Sequence, residues 1–168
     1  MRSSYDASDF ERAVAAVSAE PSPRDLVGRL GLEWERLSWL AVDASAAVLA
    51  QEGPAPDGRV VAYGSEAFAA GFLVGVHLPG LPRLDPADLP EAVAEVQRRG
   101  RHAVIADHCD LASVASIENV YADSLVESMV IEAGAAETAF VTLLFEVGLA
   151  VGVLLASGGA ADRSAQQP

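Results

Sequence analysis

Residues 139–156, AFVTLLFEVGLAVGVLLA, form an almost wholly apolar run that carries one carboxylate, Glu146, near its middle. Such a run leaves two kinds of fold open: a membrane span, or a helix at the centre of a soluble helical protein. About 18 apolar residues sit at the lower limit for spanning, and a central carboxylate costs about 2.5–3.5 kcal/mol on insertion. Basic anchors are missing too, because neither Lys nor Arg occurs from His102 through Ala161. On a helical wheel Thr138, Thr142 and Glu146 share one stripe, with Gly148 and Gly152 roughly opposite. One polar edge and one close-packing edge describe a buried soluble helix, and a membrane partner is disfavoured.

The same helix occurs earlier in the chain. Residues 68–78, FAAGFLVGVHL, match residues 145–155, FEVGLAVGVLL, as F-x-x-G-x-x-V-G-V-x-L at an offset of 77, with six of eleven positions identical. Upstream, DFERAVAAV at 9–17 matches DLPEAVAEV at 88–96 at an offset of 79. Between them Trp34, Leu37, Leu40, Val48 and Leu49 fall opposite Leu111, Val114, Ile117, Leu125 and Val126. Matches in one order at a nearly constant offset predict an internal duplication. The glycines Gly71 and Gly75 in one copy, and Gly148 and Gly152 (with Ala156) in the other, stand four apart on one helix face. There they let a second backbone approach closely.

Apolar period-3.6 patterning predicts helices near 7–19, 23–30, 32–51, 64–78, 86–99, 110–133 and 136–157, and no run alternates like a strand. Pro21, Pro23, the turn-rich stretch Gly53 to Gly58 and the segment Leu78-Pro79-Gly80-Leu81-Pro82 supply the breaks. The expected fold is all-α: one compact helical domain over 1–158, its halves about 9–79 and 88–157. Each half is a three-to-four-helix unit, packed with the other about a pseudo-twofold axis, and a disordered tail occupies 159–168.

Charge narrows the function. The chain holds 24 acids against 11 basic residues, all Arg, for a net charge of −13. Such a surface repels phosphate backbones, so nucleic acid is a disfavoured partner. Absent Lys and excess acid fit a GC-rich, salt-loving host, and equally an acidic protein of a GC-rich bacterium. Cys109 is the sole cysteine, which excludes an internal disulfide and a thiolate zinc cluster. The first residues, MRSSYDASDFER, lack the apolar core of a secretory signal, so a cytoplasmic location is expected.

Few residues offer chemistry. Glu146 reads either as a helix-edge carboxylate bonded to Thr142 or as an acid in an apolar cleft, able to carry a proton or bind a cation. Its counterpart in the first copy is Ala69, so this acid is not part of the shared scaffold. His77 lies on the other repeated helix, and face-to-face packing would let the two meet as a catalytic or metal pair. Asp107-His108-Cys109-Asp110 reads as a helix start, with Asp110 as N-cap and His108 and Cys109 as nucleophile or ligand candidates. No paired metal-ligand spacing accompanies them, and no cofactor motif occurs. The eight acids from 102 to 161 have no cation within that segment: Asp107, Asp110, Glu118, Asp123, Glu127, Glu132, Glu137 and Glu146.

The function expected from this balance is non-enzymatic: an interaction or assembly protein, a homo-oligomer or the partner of another protein, with an acidic surface suited to salt. A ligand-binding or catalytic bundle using Glu146 and His77 is the alternative. A helix-turn-helix regulator built on 22–40 is the third, weakened by Glu33 and Glu35 where base contacts need donors.

Overall fold

Glycine decides which two helices sit at the centre. The computed structural model describes residues 4–52, 58–80, 84–128 and 135–165, with side chains described over part of these helices. The stretches 53–57 and 81–83, the side chains of Asp123, Glu127, Glu132 and Glu137, those of Val48, Leu49, Leu125 and Val126, and the tail past Ala165 lie outside the described residues.

Eight α-helices follow in order: α1 Ala7–Ser18, α2 Pro23–Arg29, α3 Trp34–Glu52, α4 Gly58–His77, α5 Leu89–Arg99, α6 Arg101–His108, α7 Leu111–Ser128 and α8 Ala135–Ala165. A single 3-10 turn, Pro86–Asp88, leads into α5. No strand occurs among the described residues, in agreement with the all-α expectation. Three boundaries differ from the pattern. Helix α4 begins six residues earlier than its apolar periodicity, α8 continues past Ser157 to Ala165, and α6 was not foreseen.

Local chemistry sets most starts. Asp6 and Asp9 form a reciprocal cap: the Asp9 amide donates to Asp6 Oδ1 at 3.1 Å and the Asp6 amide to Asp9 Oδ2 at 3.0 Å. Ser22 caps α2 ahead of Pro23, and Asp110 caps α7 by accepting from the Ser113 amide at 3.1 Å and its hydroxyl at 2.6 Å. Gly31 and Gly100, at φ of +79° and +86°, turn the chain after α2 and α5 in conformations that L side chains resist. At the far end of α4, Arg12 Nη2 donates to the Leu78 carbonyl at 2.6 Å, which satisfies an oxygen the helix itself leaves open.

Helices α4 and α8 pack together along their length, and every other helix except α2 reaches α8, which makes this pair the spine. A Cβ on Gly71 would strike the Phe145 carbonyl, and one on Gly148 the Phe68 carbonyl. On Gly75 it would lie 2.6 Å from the Leu149 oxygen and 2.9 Å from the Val153 nitrogen, and on Gly152 it would strike the Phe72 carbonyl. Contacts advance in the same direction on both helices, so α4 and α8 run parallel. Gly64 joins the row from α4, facing the rings and methyls of Phe140 and Leu144. Outside this seam Phe68, Phe72, Leu73, Phe145, Leu149 and Leu155 are buried to within 1% of full enclosure. Fully burying one such side chain is worth about 1.5–3 kcal/mol.

The flanking helices cover the spine. Phe10 and Ala13 press α1 on α4, and Leu89, Ala92 and Val96 press α5 on α8. Val104 and Ile105 do the same for α6, and Val114 for α7. A short extended contact, Tyr5 with Cys109, ties the N-terminal segment to the α6–α7 junction: the Tyr5 amide donates to the His108 carbonyl at 2.8 Å, and the Asp110 amide to the Tyr5 carbonyl at 2.8 Å.

The seam gives the first test. Gly71→Ala has backbone on the receiving side and no flexible side chain to yield, so chemical denaturation should show a loss of about 1–3 kcal/mol. Gly28→Ala has nothing within 4 Å of the new methyl and should instead gain up to about 1 kcal/mol of stability from helix propensity.

Candidate functional site

Glu146 leaves α8 toward α6 and α7, where the chain supplies its partners. Gly100 turns the backbone so that α6 opens with Arg101 and His102 facing the acid. Arg101 Nε donates to Glu146 Oε2 at 2.6 Å, and His102 Nε2 lies 3.1 Å from the same oxygen. The Glu146 and Arg101 side chains are only 14% and 21% exposed, whereas His102 is 73% exposed. Charge-assisted hydrogen bonds in such partial enclosure are the stronger kind. Thr142 is not involved: its hydroxyl donates to the Thr138 carbonyl at 2.9 Å, back along its own helix.

Helix α7 adds a second carboxyl. Burial drives the Glu118 pKa up to about 8, reinforced by the Glu146 charge and by a hydrogen bond between the two side chains, while Arg101 pulls it partly back. At neutral pH Glu118 is therefore largely a neutral acid beside a charged one. The positions 77 residues earlier are Ala41 and Ala69, both buried and apolar. The polar quartet thus stands on one side of the spine only.

Two of its members escaped the sequence reading. Arg101 is one residue outside the cation-free segment 102–161, and Glu118 was one of eight acids without distinction. A usable signal existed for both, since buried alanine at the shifted position marks an acid foreign to the scaffold.

The remaining candidates do not join the quartet. His77 is buried, and its Nδ1 lies 2.7 Å from the Leu73 carbonyl, so that nitrogen carries the proton and donates within its own helix. Its partner is therefore its own backbone, and Glu146 is engaged with α6 and α7. Cys109 is 2% exposed, and burial pushes its thiol up to about 12. It follows the end of α6 as its C-cap, where no helix N-terminus favours a thiolate. The His108 carbonyl is held by Tyr5, and Arg99 pairs with Asp107 and keeps its carboxyl below the usual range. Among the described residues no three His, Cys, Asp or Glu side chains are placed to hold a metal ion.

Helix α3 presents a different feature. Leu37, Ala41 and Ser45 are buried at intervals of four, and Trp34 is half-buried against the same core. Trp39 lies on the opposite face, 69% exposed, with Val42 at 49% beside it one turn on. Ala46 and Ala50 continue that exposed strip. Its signal was in the wheel, because Trp39 falls about 200° from Leu37 at 100° per residue. In the helix-turn-helix segment, Glu35 at the start of α3 pairs with Arg24 at 2.8 Å on the surface.

No protein-family model matches the chain, and neither a curated protein nor a solved structure matches it.

Two measurements probe these side chains. Arg101→Met strands a half-buried carboxylate and should lower stability by about 1–3 kcal/mol in urea unfolding. Cys109 should react with a disulfide reagent at least about a hundredfold more slowly in the native protein than in denaturant, because little thiolate exists and access is closed.

Proposed function

We propose that the protein is a non-enzymatic assembly module whose partner is a second copy of itself, joined through the exposed strip of α3. One observation carries the reading: a tryptophan 69% exposed, continued by Val42, on a helix whose other face is fully buried. A large aromatic at one end and alanines at the other make the strip complementary to itself. Turned through a twofold, Trp39 of one copy falls on Ala46 of the other, with Val42 at the centre, as an isologous interface requires. Exposed aromatics of this kind serve as interface anchors. Two chains of charge −13 repel, and concentrated salt removes that barrier by shortening the Debye length to about 3 Å at 1 M. An acidic surface suited to a salty cytoplasm belongs to the same reading.

The scaffold is proposed to be an internal duplication about a pseudo-twofold axis. Shifting residue numbers by 77 exchanges the Gly71–Phe145 contact with Gly148–Phe68, and the Gly75–Leu149 contact with Gly152–Phe72. The same shift maps buried Leu37 on buried Val114, while α1 packs on α4 as α5 packs on α8. A protein that already joins two like units through helix faces has the surfaces from which larger assemblies are made.

Light scattering in concentrated potassium chloride tests the self-association. The wild type should be dimeric or larger, and Trp39→Glu should weaken association at least about thirtyfold while leaving the fold intact. A monomeric wild type, or a variant that associates unchanged, would overturn it.

A further inference from the structure

The quartet beside α8 has a use that self-association does not need. We propose that Glu118 and Glu146 form a proton-operated latch, in which one proton held between the two carboxyls fastens α7 to α8. Three elements converge there: α6 brings Arg101 and His102, α7 brings Glu118, and α8 brings Glu146. Arg101 and His102 occupy Glu146 Oε2, so the Glu118 proton is the remaining donor to this carboxylate. Removing it sets two partly buried negative charges against each other with one guanidinium between them. At the matching places of the first half, Ala41 and Ala69 close the packing without any charge. A stabilising role alone is met there by alanine, so the ionisable pair adds a sensitivity to pH that the scaffold does not require.

Among the described residues, Glu146 and Arg101 are the charges acting on Glu118. His102 reaches the pair through Glu146 Oε2, and Glu66 of α4 bears on Tyr121 instead. The sign of the linkage follows from the raised acid. Glu118 rises from an ordinary 4.5 to about 8, so the folded state holds a proton the unfolded chain has lost. Stability from this group is complete at low pH, declines as pH rises and is gone once pH passes about 8.

The test compares urea unfolding of the whole chain between about pH 6 and 10 at fixed high salt. In the wild type the folding equilibrium constant should drop about tenfold per pH unit up to the folded pKa and then level off. Glu118→Gln, which keeps the neutral donor, should remove that drop, and His102→Gln should retain it. Hydrogen exchange in α7, corrected for its intrinsic rate, should accelerate over the same range in the wild type and not in Glu118→Gln. Should Glu118→Gln fail to fold, the carboxyl carbon resonance of Glu118 in the wild type decides, with a midpoint far above other glutamates supporting the latch. An ordinary midpoint, a flat wild-type profile, or a drop that persists in Glu118→Gln and vanishes in His102→Gln would overturn it.

Discussion

Everything in this fold depends on two backbones lying closer than side chains permit. Four glycines, Gly71, Gly75, Gly148 and Gly152, remove the Cβ atoms that would hold α4 and α8 apart, and each position faces main-chain atoms of the other helix. With the seam closed, the rings of Phe68, Phe72 and Phe145 are displaced to its flanks, where the outer helices find an apolar surface to cover. Dispersion between atoms in van der Waals contact is small per pair and large in sum, so a long glycine seam is cohesive without any polar bond. The cost is conformational: glycine inside a helix loses more freedom on folding than alanine would.

Against that uniform spine the Arg101, His102, Glu118 and Glu146 quartet is a local exception. A partly buried ion pair is a weak source of stability compared with well-packed apolar groups, because both ions give up hydration. Alanine occupies the shifted positions, so apolar packing is available there to a helix of this kind. The arrangement keeps its ions hydrogen-bonded, and no buried side-chain oxygen or nitrogen among the described residues lacks a partner. Specific chemistry is therefore confined to one flank, while the apolar strip of α3 faces solvent elsewhere.

What the sequence disclosed was mainly what is local or repeated. Helix starts at Asp6, Ser22 and Asp110 follow from capping residues, and the seam follows from glycines four apart. Helix α6 was hidden because RHAVIADH is short, begins with two basic residues and has no side-chain cap, so only packing of Val104 and Ile105 makes it a helix. The partners of Glu146 were hidden for a different reason. They come from 45, 44 and 28 residues away, and no periodicity brings such distances together. Thr142 looked closer, one turn along the same stripe, yet a hydroxyl in a helix has a carbonyl of the preceding turn within reach, and Thr142 takes it.

The parallel seam also fixes an order of events during synthesis. Gly71 and Gly148 are separated by 77 residues, and the second belongs to the final helix. At about 5–20 residues per second a ribosome needs roughly 4–15 s to make the interval between them. Throughout it, α4 has left the tunnel with its glycine face open and its aromatic rings lacking their cover. The Tyr5 segment waits as well, since Cys109 is made long after it. The nascent first half is thus a helical unit with an adhesive face, and on a polysome the nearest matching face belongs to a neighbouring copy of the same chain. Fidelity of folding here is a contest between the α8 still being translated and the α4 next door.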